Sequence, residues 1–181
     1  FNTDIGTLEV YRGDAIGWES IQRRESQYLG GGTGSNTGVG VRGLFANGQV
    51  APSTGTYTNH IEYLTISTLG NGETFGDTTV TRSHTSTMAS RTRCVFASGY
   101  NSGNTMDYIT IASTGNASDF GDNTSSADST AAASTEIRGL IAGGSSTNTI
   151  SYITIAQTGN AVDFGDLTRA HNNMAGASST T

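Results

Sequence analysis

A unit of about 45 residues occurs three times in this chain, and its spacing leaves few folds open. The first copy reads Arg42-Gly-Leu-Phe-Ala-Asn-Gly48, then Ile61-Glu-Tyr-Leu-Thr-Ile66, then Phe75-Gly-Asp77. The second reads Arg93-Cys-Val-Phe-Ala-Ser-Gly99, Met106-Asp-Tyr-Ile-Thr-Ile111 and Phe120-Gly-Asp122. The third reads Arg138-Gly-Leu-Ile-Ala-Gly-Gly144, Ile150-Ser-Tyr-Ile-Thr-Ile155 and Phe164-Gly-Asp166. Tyr63, Tyr108 and Tyr152 stand 45 and 44 residues apart, and so do Asp77, Asp122 and Asp166. Agreement at several anchors at once marks a repeated structural unit.

Each unit reads as strands. Residues 44–46, 95–97 and 140–142 are short apolar runs ending near glycine, as in an inner strand buried on both faces. Residues 61–66 and their copies alternate apolar and polar, the mark of a half-buried strand. Thr-Gly-Asn-Ala at 114–117 and 158–161 is a tight turn. Phe75, Phe120 and Phe164 anchor a third strand, and the Ser/Thr-rich stretch after each holds the last strand of the unit. Four strands in about 45 residues make one propeller blade. The fold class expected is all-β: kelch-like β-propeller blades in three four-stranded repeats, an incomplete ring, with an N-terminal β-hairpin module. Arg42, Arg93 and Arg138 recur with the aspartates, which suggests a salt bridge or an Asp-capped turn at each blade corner.

Composition narrows the function. Charged residues are only 13%, the net charge is −6, and no lysine occurs, so no basic field is offered to nucleic acid. Recurrent Ile, Val and Thr argue against disorder. No apolar run reaches the roughly 18 residues of a membrane span. Cys94, the single cysteine, stands where the other copies have Gly43 and Gly139, and reads as a small buried thiol. Gly38-Val-Gly-Val-Arg-Gly43 matches G-x-G-x-x-G, but a strand follows it instead of a helix, so it reads as a linker. His60, His84 and His171 have no metal-ligand spacing, and His171 aligns with Arg82 and Ala127 at a variable surface position. The acids are copies of one corner, with no facing pair for glycoside chemistry. No catalytic, cofactor-binding or metal-binding residue is expected, and no cofactor.

Two stretches carry a resemblance. The run Arg42-Gly-Leu-Phe-Ala-Asn-Gly48 with Ile61-Glu-Tyr-Leu-Thr-Ile66 resembles a kelch-type motif. Residues 107–122 and 151–166 are similar to repeats of bacteriophage tail fibres and virion appendages, especially those of cyanophages. Residues 1–11 followed by Trp18-Glu-Ser-Ile21 resemble a hairpin module of phage fibres. The implied organisation is an attachment hairpin at 1–29, a Gly-rich linker at 30–41 and blades at 42–92, 93–137 and 138–181. The first copy departs from the pattern: residues 49–59 add about six residues, and its turn Leu69-Gly-Asn-Gly-Glu-Thr-Phe75 reads as one residue longer.

Three blades do not close a ring, for which roughly 4–8 are needed. Either the chain is a piece of a longer polypeptide, the reading favoured by the sequence, or several chains pool their blades. The resemblance implies a non-enzymatic virion protein, located in an extracellular appendage. Its partners would be other fibre proteins, further copies of itself (a trimer favoured) and a host-surface glycan or receptor. Tyr57, Asn59, His60, Tyr100, Asn101 and Asn104 lie in the loops before the tyrosine strands and are the candidates for holding a glycan by stacking and hydrogen bonding. The alternatives are a polysaccharide-degrading propeller enzyme of a phage fibre and a kelch-type interaction scaffold.

Overall fold

In the computed structural model, which describes residues 8–11, 18–21, 42–52 and 55–178, the repeat becomes a row of antiparallel sheets. No helix forms among the described residues. A separate hairpin pairs β1 (Leu8–Tyr11) with β2 (Trp18–Ile21), Leu8 opposite Ile21. The first sheet holds β3 (Arg42–Ala46), β4 (His60–Thr65) and β5 (Glu73–Asp77) in that order. The second holds β6 (Ser86–Ala89), β7 (Arg93–Ala97), β8 (Thr105–Thr110) and β9 (Ser118–Asp122). The third holds β10 (Ala131–Ser134), β11 (Arg138–Ala142), β12 (Thr149–Thr154) and β13 (Val162–Asp166). All of the linker expected at 30–41, and most of the glycine motif beginning at Gly38, lie outside the described residues.

The sheets are phased differently from the repeats read in the sequence. The Ser/Thr-rich stretch does form a strand, but β6 pairs forward with β7 and β10 pairs forward with β11. It therefore opens the next sheet and does not finish the preceding one. The reason lies at the other edge: the main chain of β5 and β9 is already engaged. Gly115 and Ala117 donate their N–H groups to the carbonyls of Phe75 and Asp77, at 2.8 Å each. Gly159 and Ala161 donate likewise to Phe120 and Asp122, at 2.7 and 2.8 Å. The Thr-Gly-Asn-Ala turn of one sheet thus caps the last strand of the sheet before it, leaving that edge no room for a fourth strand. The first copy's turn is not longer than the others. It joins Thr65 to Glu73, as the second joins Thr110 to Ser118.

Phe-Gly-Asp owes its recurrence to this junction. Pairing slips between Ile61 and Glu62, Met106 and Asp107, and Ile150 and Ser151, so each phenylalanine is the extra residue of a β-bulge. The bulge turns Phe75 and Phe120 into the core, where both are buried. The glycine after it carries the next turn on its back: a Cβ on Gly121 would lie 2.5 Å from the carbonyl oxygen of Gly159. The aspartate N–H is capped by the asparagine of that turn, Asn116 Oδ1 to Asp77 and Asn160 Oδ1 to Asp122.

The core sits between sheets, in two layers. Ile61 and Phe75 of the first sheet pack with Cys94, Phe96, Ile109 and Ile111 of the second. Val95, Ala97, Met106 and Phe120 of the second pack with Ile141, Ile153 and Ile155 of the third. Strand alternation explains the division, since neighbours along a strand point to opposite faces. Among the described residues only the middle sheet is covered on both faces, so of the three strands expected to be doubly buried β7 alone is so. Each buried Phe or Ile contributes about 1.5–3 kcal/mol.

The recurrent arginine does not pair with the recurrent aspartate. Arg42, Arg93 and Arg138 lie over the rings of Tyr63, Tyr108 and Tyr152, at 4.7, 4.2 and 4.7 Å. Each tyrosine in turn meets its sheet's phenylalanine edge to face, Tyr108 and Phe120 at 6.0 Å and 77°. Arg42 also donates to the carbonyl of Ile111 at 2.6 Å, and Arg93 to that of Ile155 at 3.0 Å. The arginine is a tie from its own sheet to the next. A guanidinium can stack and donate at once, which makes it better suited to this than to the expected corner salt bridge.

Candidate functional site

The loop that joins β3 to β4 and the loop that joins β7 to β8 come together at one place. Tyr57 forms an isolated bridge with Gln49, and Tyr100 one with Ser83. These pairings bring the two tyrosine rings to 5.4 Å between centroids at 58°, with Tyr100 half exposed and Tyr57 half buried. Asn101 follows in an exposed turn with φ of 71°, which asparagine tolerates well. Of the six sequence candidates, then, Tyr57 and Tyr100 come together, and Asn101 is the residue next to Tyr100 in the chain.

The other three serve the scaffold. Asn59 accepts the N–H of Thr78 at 2.7 Å, Asn104 that of Asn123 at 2.8 Å, and Asn148 that of Leu167 at 2.7 Å, all through their main-chain carbonyls. The Asn59 side chain adds a bond to the Thr78 carbonyl, and Asn148 repeats it on Leu167. These asparagines are a further repeat anchor, legible in the sequence from their spacing but read there as loop chemistry. His60 begins β4 with Nδ1 3.5 Å from Asp77 and Nε2 3.8 Å from Glu62.

Beneath the tyrosine pair lies a feature that sequence reasoning missed. Arg82 and Asp107 are both fully buried and form an ion pair. Nη1 of Arg82 also reaches the carbonyls of Thr105 and Ser98, at 2.9 and 3.4 Å, and Thr79 donates its hydroxyl to Asp107. Burial lowers the Arg82 pKa to about 10. The Arg82 main chain holds both loops: Gly48 donates to its carbonyl, and its own N–H reaches Thr58. Next to it, Ser83 and Tyr100 exchange two main-chain bonds. The aromatic pair is thus mounted on a fixed base. Arg82 aligns with His171, whose position the sequence reads as a variable surface one, yet Arg82 and Ala127 are buried and only His171 is exposed. The difference is whether a further sheet covers the position. Asp107 stands where the other copies have Glu62 and Ser151, so repeat comparison offered no signal for the pair.

Cys94 lies in the layer between the first two sheets, and burial pushes its thiol pKa up to about 12. Among the described residues, no group of three or more His, Cys, Asp or Glu side chains is placed to hold a metal ion. No family model matches the chain, and no curated protein matches it.

Proposed function

We propose that this chain is a non-enzymatic structural and adhesive protein of a virion appendage, whose sheets are blades of a propeller and whose loop face holds a host-surface glycan. The observation that carries the reading is the Tyr57–Tyr100 pair, half open to solvent and mounted on the buried Arg82–Asp107 base. Two tilted rings offer a stacking surface for a sugar ring, and Asn101, next in the chain to Tyr100, is a hydrogen-bonding residue for its rim. Repeated sheets joined by one repeated junction suit a load-bearing appendage, and the first strands β6 and β10 lie side by side as blade strands do around an axis. The resemblance of residues 107–122 and 151–166 to virion appendage repeats agrees with this assignment.

The test is binding to a panel of bacterial capsular polysaccharides and lipopolysaccharides, with a reducing-end assay on the same mixtures. The expected result is saturable binding that Tyr100→Ala weakens about tenfold, the loss of roughly 1.4 kcal/mol, with no reducing ends released. Binding untouched by Tyr57→Ala and Tyr100→Ala would remove the site. Released reducing ends would replace adhesion with the depolymerase reading.

A further inference from the structure

The junction between sheets has two sides, and the chain carries one unused copy of each. The forward side, turned towards the next sheet, is built in the second sheet from Val95, Ala97, Met106, Tyr108 and Phe120. The backward side is built from Phe96, Ile109 and Ile111 in the second sheet, and from Ile141, Ile153 and Ile155 in the third. Forward meets backward twice within the chain.

Among the described residues, nothing covers the first sheet's backward side or the third sheet's forward side. Phe45, at the position of Phe96 and Ile141, is 62% exposed where they are 1% and 2%. Ile66 is 59% exposed where Ile111 is 7% and Ile155 is 0%. Phe164 is 49% exposed where Phe75 is 3% and Phe120 is 2%. Large apolar groups displayed together in this way mark a surface meant for covering.

The polar parts of the junction are vacant in the same places. Gly165 keeps the φ of a seat, 142°, yet a Cβ there would meet nothing within 4 Å. Arg138 stacks on Tyr152, but among the described residues it reaches no carbonyl of a following sheet. At the opposite end, Leu69-Gly70-Asn71 keeps the Gly-Asn pair of the seated turns, with Leu69 fully exposed. Residues 175–178 follow Asp166 by nine, as β6 follows Asp77 and β10 follows Asp122, and they run against β10, with Gly176 packed on Ala132.

We propose that two copies of the chain assemble head to tail, the first sheet of each covering the third sheet of the other. Gly70-Asn71 of one copy seats on Phe164-Gly165-Asp166 of its partner. A head-to-tail contact must close or propagate. Two copies of the repeat sheets among the described residues make six, within the roughly 4–8 of closed propellers, whereas three copies would make nine. The closure rests on the blade reading above; the contact itself does not.

Light scattering across a wide concentration range reads the assembly directly. The expected mass is twice 18.7 kDa. Phe45→Asp and Phe164→Asp should each give monomers, and so should Ile66→Asp. All three side chains are exposed in the single chain, so far-UV circular dichroism should stay unchanged. Mixing Phe45→Asp with Phe164→Asp should restore a weaker dimer, because one of the two junctions then has both native phenylalanines. A monomer at every concentration would overturn the proposal, as would a dimer lost with Phe45→Asp but untouched by Phe164→Asp. Open polymers that both substitutions abolish would overturn closure, and with it the blade reading, while keeping the head-to-tail contact.

Discussion

Gly121 lies under the carbonyl of Gly159, so close that a single methyl group at Gly121 would stand 2.5 Å from the oxygen. Its φ of 137° is also one that other residues avoid. Gly121→Ala should therefore cost about 1–3 kcal/mol, read as a lowered urea midpoint. Gly165→Ala meets open space and bears only the conformational cost, so below the concentration of self-association its loss should be clearly smaller. Equal losses would show that the turn does not sit where described.

Arg93 serves two sheets and Arg138 one. Arg93→Ala removes both the stacking on Tyr108 and the bond to the Ile155 carbonyl, whereas Arg138→Ala removes, among the described residues, stacking alone. The bond by a charged donor is worth about 1.5–3 kcal/mol. In the monomeric chain, thermal unfolding should show Arg93→Ala as the more damaging by about that margin.

The buried pair of Arg82 and Asp107 predicts a non-additive mutant cycle. Asp107→Asn leaves a buried cation without its counterion and should cost about 3–5 kcal/mol. Arg82→Met with Asp107→Leu removes both charges, and should recover most of that stability in chemical denaturation. A double variant as weak as the single one would mean that the pair is not the fixed base of the tyrosine cluster.

Cys94 should resist iodoacetamide at neutral pH in the folded protein and react fully in denaturant. Its pKa is raised by burial from 9.0 to about 12, so the folded thiol stays protonated while the unfolded one ionises. The unfolded state then binds fewer protons, and stability falls as pH rises above 9. The slope should approach 1.4 kcal/mol per pH unit near pH 10, and Cys94→Ala should flatten it. Above about 10, deprotonation of the folded Arg82 acts in the opposite sense, because its folded pKa is lowered.

The strands were legible in the sequence because the period-two pattern and the glycines are local signals. Arg42, Tyr63, Phe75 and their copies all fall on strands, within a few residues of where alternation put them. What these residues touch was not legible. Arg93 finds its partner 62 residues away, and Gly121 finds its neighbour 38 residues away. Both contacts cross between sheets, and one period of a repeat does not reveal how it meets the next. The phase error has the same origin: β6 lies in the sequence of one unit but pairs with the next, because the turn at 114–117 occupies the edge it would otherwise take. At the candidate site, spacing alone separates the asparagines that serve the scaffold from the tyrosines of the loop cluster. Tyr57 and Tyr100 come together only through the bridges to Gln49 and Ser83.

One repeated junction holding the sheets in a row is the centre of this account, and amide hydrogen exchange reads it most directly. At dilution, the amides of Gly115, Ala117, Gly159 and Ala161 donate across sheets, while among the described residues those of Gly70 and Gly72 have no such acceptor. The prediction is slow exchange at the first four, approaching the rate of global unfolding, and fast exchange at Gly70 and Gly72. Fast exchange at all six would contradict it, since the turns would then not be seated on the strands before them.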